Sequence, residues 1–128
     1  MASEFDAEAF VKNYCYAFGV GGGEDIGQFY SAPCLTVRGD GSLHVFTSHN
    51  EIDQFFGSVV ATYRAEGMSG FACEHPSTEK LGSGCTRFTC EWIMQRTNMS
   101  VIRRWQQTYI LRAIEEDWRI VVAIVHAT

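Results

Sequence analysis

The sequence predicts an α+β fold in which one antiparallel sheet packs on helices, and three observations carry that expectation. The last third reads as three long strands, Thr86 to Arg96, Ile102 to Ala113 and Trp118 to Ala127, each rich in Val, Ile, Thr, Trp and Tyr. The breaks between them, Thr97-Asn98-Met99-Ser100 and Glu115-Glu116-Asp117, are too short for a crossover helix, so neighbouring strands must form hairpins. The first half instead carries two apolar stripes at helical spacing.

In chain order, Phe5 to Phe18 places Val11, Tyr14, Cys15 and Phe18 on one helical face, with Asp6 and Glu8 near the start, where the helix dipole favours anions. This amphipathic helix stops at Gly19. Gly21-Gly22-Gly23 then breaks the chain before a short helical turn through Asp25, Ile26, Phe29 and Tyr30. The glycines make no phosphate loop, since no strand precedes them and no Lys-Ser or Lys-Thr follows. Cys34 to Arg38 and Leu43 to Thr47 alternate like strands around Gly39-Asp40-Gly41-Ser42, a small hairpin. Ser48 and Glu51 form a capping box for a second long helix, whose stripe is Ile52, Phe55, Phe56, Val59, Val60 and Tyr63 and which ends near Gly67. Phe71 to Leu81 reads as a strand interrupted by Pro76, which removes a ladder donor and so marks an edge or a bulge. Gly82-Ser83-Gly84 turns this strand into the sheet.

Paired residues share a face, so side-chain parity can be carried across the hairpins. With loops centred on Asn98-Met99 and Glu116-Asp117, one face collects Phe88, Cys90, Trp92, Trp105, Gln107, Tyr109, Leu111, Val122, Ile124 and His126. The other collects Arg87, Thr89, Glu91, Arg104, Gln106, Thr108, Ile110, Val121, Ala123 and Val125. The aromatic set belongs under the helices, joined by Phe71, Cys73, His75 and Ser77; the mixed set meets water or another subunit. A one-residue slip would exchange the two.

At 128 residues the chain is expected to form one domain, 1–128, able to bury roughly two-thirds of its unfolded surface. A formal charge of −5 disfavours nucleic acid as a partner. No apolar run approaches the ~20 residues that cross a bilayer, and the first residues are acidic where a secretory signal is basic, so a soluble, cytoplasmic protein is expected. Five cysteines without a C-x-x-C spacing point to reduced, mostly buried thiols. Neither a metal nor another cofactor is expected, although Cys73, His75, Cys90 and His126 offer soft and imidazole ligands of the kind zinc accepts.

The order of helix, short helix, small hairpin, long helix and four antiparallel strands resembles the cone-shaped fold shared by nuclear transport factor 2, ketosteroid isomerase and scytalone dehydratase, over the entire chain. Gln28-Phe29-Tyr30-Ser31-Ala32 followed by Thr36-Val37 resembles the family's passage into its first strand. Asp117-Trp118-Arg119-Ile120 resembles the start of the last strand in its polyketide-cyclase-like members. The resemblance implies a curved sheet wrapped around the helices, an apolar pocket between them and pairing of two copies through the outer sheet face. The ketosteroid isomerase pattern uses a helix-one tyrosine and a protonated strand carboxyl as an oxyanion hole, with a first-strand aspartate as proton shuttle. Tyr14 matches the first; Tyr109 stands at the second; Gly39 or Arg38, according to the alignment, stands at the third, with Asp40 nearby as a turn residue.

Two classes of function follow. One is a pocket protein binding a small, mostly apolar ligand without chemistry, the reading favoured by the missing shuttle aspartate. The other is a proton-transfer enzyme, an isomerase, dehydratase or cyclase, in which Tyr14 and Tyr109 polarise an oxygen and His75 serves as acid or base, imidazole titrating near neutrality. Phe18, Phe56, Tyr63, Cys90, Trp92, Trp105, Gln107 and His126 are the expected ligand contacts, and His44 and His49 are expected at the surface. Pairing is expected through the face bearing Thr89, Gln106, Thr108, Val121, Ala123 and Val125.

Overall fold

The computed structural model describes residues 3–127. Asp6 caps α1 (Ala7–Val20), its carboxylate accepting from the Ala9 amide at 3.0 Å. The helix runs past Gly19 because Arg64 donates to the carbonyls of Phe18 and Gly21, at 3.2 and 2.6 Å, and satisfies its C-terminal end. The short α2 (Gly23–Gly27) lies so close to α3 (His49–Ala65) that a Cβ on Gly23 would stand 2.0 Å from the Asp53 carbonyl oxygen. The glycine there serves close packing rather than flexibility alone. At the start of α3, Ser48 accepts from the Glu51 amide at 3.2 Å, while Glu51 reaches back to the amide and hydroxyl of Thr47. The capping box is thus closed one residue earlier than its usual spacing.

Six strands form one open sheet in the order β2-β1-β6-β5-β4-β3. They are β1 (Tyr30–Val37), β2 (Leu43–Phe46), β3 (Gly70–Gly82), β4 (Cys85–Gln95), β5 (Val101–Ile114) and β6 (Asp117–Val125). All pairings are antiparallel except β1 with β6. Tyr30, expected in the short helical turn, instead opens β1 opposite Ile120. β3 is an edge strand, and its ladder gains a residue between Glu74 and Ser77, so Pro76 marks both an edge and a bulge. Phe10, Tyr14 and Phe18 of α1, Ile52, Phe56 and Val60 of α3, and Phe88, Trp92, Tyr109 and Ile120 of the sheet form the core. Leu111 and Phe88 are fully buried in it, each worth about 1.5–3 kcal/mol of transfer free energy.

The β4–β5 register agrees with the sequence reading: Phe88 faces Tyr109, Cys90 faces Gln107 and Trp92 faces Trp105. The β5–β6 register does not. Tyr109 pairs with Ala123 and Gln107 with Val125, while Leu111 pairs with Ile120, so Val121 is an extra residue bulging from β6. The second hairpin turns at Glu115, in left-handed backbone, and Glu116, and the bulge then exchanges the faces along the outer half of β6. Ala123 and Val125 therefore share the concave face with Tyr109, and Val122, Ile124 and His126 lie on the convex one, the reverse of the expectation.

Candidate functional site

Between the concave sheet face and helices α1 and α3 lies a cavity of about 390 Å³. Tyr14, Cys15 and Phe18 reach it from α1; Phe55, Phe56, Val59 and Tyr63 from α3. The sheet contributes Tyr30, Thr36, Phe71, Trp92, Trp105, Gln107, Tyr109, Ala123 and Val125. The helical residues arrive together because spacings of three and four residues keep them on one face, and the strand residues because alternate positions do. Arg38, Arg103 and Arg104 stand at the exposed mouth, the last with its charge taken up by Glu74 and Glu91.

The aromatic floor is tied together by polar contacts. The hydroxyls of Tyr14 and Tyr30 are 2.8 Å apart, and Trp92 Nε1 donates to the Tyr109 hydroxyl at 2.9 Å. Trp105 Nε1 donates to Gln107 Oε1, also at 2.9 Å. Each phenol carries one proton, so these bonds leave O–H donors still unspent. Burial pushes the pKa of Tyr14, Tyr30 and Tyr109 above the ordinary phenol value, opposed at Tyr14 by its hydroxyl neighbours Tyr30 and Tyr109. At neutral pH all three are uncharged hydroxyls. Burial raises Tyr63 as well, with the Arg103 and Arg38 charges pulling the other way. The Cys15 thiol is pushed up to about 11, first by burial and then by Cys73, so it is no ready nucleophile at neutral pH. Thr36 Oγ1 is buried and has no hydrogen-bond partner among the described residues.

Of the residues singled out from sequence, Tyr14, Phe18, Phe56, Tyr63, Trp92, Trp105, Gln107 and Tyr109 line this cavity. His75, Cys90 and His126 do not. The His75 side chain is 79% exposed, beside Glu74 at 3.7 Å. Pro76 cannot supply a ladder N–H, and the bulge it creates throws His75 into left-handed backbone (φ 53°) and out of the alternation with Cys73. His126 sits on the convex face with its Nε2 2.7 Å from Thr108 Oγ1, a consequence of the β6 bulge. Cys90 is buried beside Cys73, and burial raises its pKa. The four residues weighed for zinc therefore face different ways and surround no common point. On the convex face Glu74, His75 and Glu91 bring ligand atoms within 4.8 Å of one another, but Arg104 lies 3.9 and 3.5 Å from the two carboxylates and already supplies their counter-charge.

Sequence reasoning passed over Tyr30, Thr36 and Arg103 as cavity residues, weighed Arg38 only at the shuttle position, and assigned Ala123 and Val125 to the pairing face, which the β6 bulge overturns by turning both into the cavity. Alternation in Thr36-Val37-Arg38 could have placed Thr36 and Arg38 on one face. Which face depends on the parallel pairing of Thr36 with Ala123, between segments with no local signal for it.

A family model described as "NTF2-like protein (DUF6841)" matches residues 3–128. Solved structures of similar fold include a domain of unknown function with a cystatin-like fold from Nostoc punctiforme, 15% identical over 99% of this chain and 80% of that one, TM-score 0.76. An NTF2-like protein of unknown function from Shewanella oneidensis is 13% identical over 93% and 94%, TM-score 0.73. An NTF2-like protein with a cystatin-like fold from Novosphingobium aromaticivorans is 11% identical over 93% and 77%, TM-score 0.74. No curated protein matches the sequence.

Proposed function

The chain belongs to this NTF2-like family, and from that premise we propose that it is a pocket protein holding a small, mostly apolar ligand in the cavity between α1, α3 and the sheet, without transforming it. The observation that carries this reading is the cavity itself. Its volume falls in the ~300–1,000 Å³ range of small-molecule sites, and its walls are aromatic with a few converging polar groups. Proton transfer of the ketosteroid isomerase kind finds less support. The only titratable side chains among the described lining residues are tyrosines, arginines and one thiol, and His75, the sequence's acid–base candidate, lies outside. Neutral tyrosines can hold a ligand oxygen by hydrogen bonds but do not take up a proton at pH 7.

The reading extends to assembly and place of action. On the convex face Leu35 and Ile110 both pair with Val122, and Ile124, two residues along β6, pairs with Val37 and Thr108; Leu43 and Val45, 58% and 56% exposed, flank them. Such an apolar surface suits a second copy of the chain. No helix among the described residues is long and apolar enough to cross a membrane, and five free cysteines suit a reducing cytoplasm. Native mass spectrometry of the purified protein is the direct test. A retained small molecule is expected, and Ala123→Leu, which fills the cavity from its sheet side, should abolish retention while the fold persists. Retention unaffected by Ala123→Leu would place the ligand elsewhere.

A further inference from the structure

The inference drawn here rests on the pocket reading and deepens it by naming the ligand's chemistry. The cavity is polarised from floor to mouth. Its floor is an aromatic box with neutral hydroxyls; its mouth is cationic, in a chain whose formal charge is −5. Thr36 lies near the end of β1 and Arg38 immediately follows the strand, and both line the cavity. Thr36 Oγ1 has lost water and gained no described partner, which is unfavourable unless a ligand supplies one. Arg38 has no ion-pair partner among the described residues. Arg104, by contrast, is engaged by Glu74 and Glu91. Arg103 spends one edge of its guanidinium on Glu66 at 3.0 Å and lies over the Tyr63 ring, 5.5 Å from its centroid. Arg38 and Arg103 line the same cavity as Tyr63.

We propose that the ligand is a small carboxylic acid with an apolar body. Its carboxylate seats against the Arg38 guanidinium and accepts the Thr36 O–H, with Arg103 adding charge, and its ring or chain lies among Tyr14, Phe56 and Trp92. A planar guanidinium matches the two oxygens of a carboxylate, and a charge-assisted bond at the edge of a dry cavity is stronger than a neutral one. A phosphate would bring a second negative charge to a mouth that already holds Glu66.

Trp92 and Trp105 line the cavity and provide the readout, tryptophan fluorescence on titration. The probes are benzoate, 3-phenylpropanoate, 4-phenylbutanoate and octanoate, each with its primary amide, and 4-phenylbutyl phosphate, all at low salt to limit screening. The best acid should bind about tenfold or more tightly than its amide. Arg38→Gln and Thr36→Val should each weaken the acid about five- to tenfold while the amide changes less than about twofold, and Arg87→Gln, at a residue paired with Glu79 and outside the cavity lining, should leave both unchanged. Thr36→Val keeps the β-branched shape of the strand, and Arg38 is exposed, so both variants are expected to fold. Equal binding of acids and amides would overturn the carboxylate assignment and leave the pocket reading standing. Tighter binding of the phosphate ester would overturn the choice of head group. Binding of none of the probes would overturn the carboxylic-acid proposal, while retention of a small molecule in native mass spectrometry decides the pocket reading separately.

Discussion

The hydroxyl of Tyr14 on α1 lies 2.8 Å from the hydroxyl of Tyr30 on β1, both rings buried, so the first helix and the first strand are joined by a hydrogen bond at the floor of the cavity. The Tyr30 ring lies 4.7 Å from that of Phe56, and Tyr14 stacks on Trp92 at 5.7 Å. The contact therefore couples both long helices to the sheet, and a change at either tyrosine is felt by structure and site together.

Tyr14→Phe should lower stability by about 1–2 kcal/mol, because the Tyr30 hydroxyl is then buried without this partner. The double variant Tyr14→Phe/Tyr30→Phe should lose less than the sum of the single variants, since removing both hydroxyls leaves no orphan of the pair. Urea denaturation of the four proteins measures the coupling, and strictly additive losses would show that the two hydroxyls do not depend on each other.

Stability should fall on the alkaline side. Burial raises the Cys15 and Cys34 thiols from 9.0 to about 11, and raises Tyr14, Tyr30 and Tyr109 above 10.0. A group with a raised folded pKa loses its proton first in the unfolded chain, so its contribution is complete below the unfolded pKa and disappears as pH climbs toward the folded one. The thiols act between about 9 and 11, and the tyrosines from 10.0 upward, each by at most ~1.4 kcal/mol per pH unit. Thermal unfolding from pH 7 to 11, with tyrosinate absorbance followed in parallel, tests this. Ionisation of the three buried phenols before the loss of structure would contradict it.

His75 should be dispensable to the site. His75→Gln is expected to leave ligand affinity within about twofold, and His75→Gly to raise stability by up to ~1 kcal/mol, because glycine adopts φ 53° without the steric penalty of a Cβ. A loss of binding in either variant would restore the residue to the pocket.

The convex face should hold two copies together. Ile124→Arg places a charge in the middle of the Leu35, Ile110 and Val122 surface and should convert a dimer to a monomer in sedimentation at micromolar concentration. A wild-type protein already monomeric there would rule out the pairing.

Much of this molecule was legible in the order of its residues. Strands β4 and β5, the pairing of Trp92 with Trp105, and the helices bearing Tyr14 and Phe56 follow from alternation, helical spacing and short hairpin loops, which are local properties. The same locality made Tyr14, Tyr109 and Gln107 recognisable as residues of the cavity face. The position of His75 and the side of β6 that faces inward were decided only in the folded chain. Both turn on a single inserted residue in a ladder, at His75-Pro76 and at Val121, and β6 is aliphatic on both faces, so neither register declares itself by polarity. The approach of Thr36 and Arg38 to the aromatic floor likewise required β1 to pair in parallel with a strand more than eighty residues away, a contact set by closure of the whole sheet rather than by any neighbour in sequence.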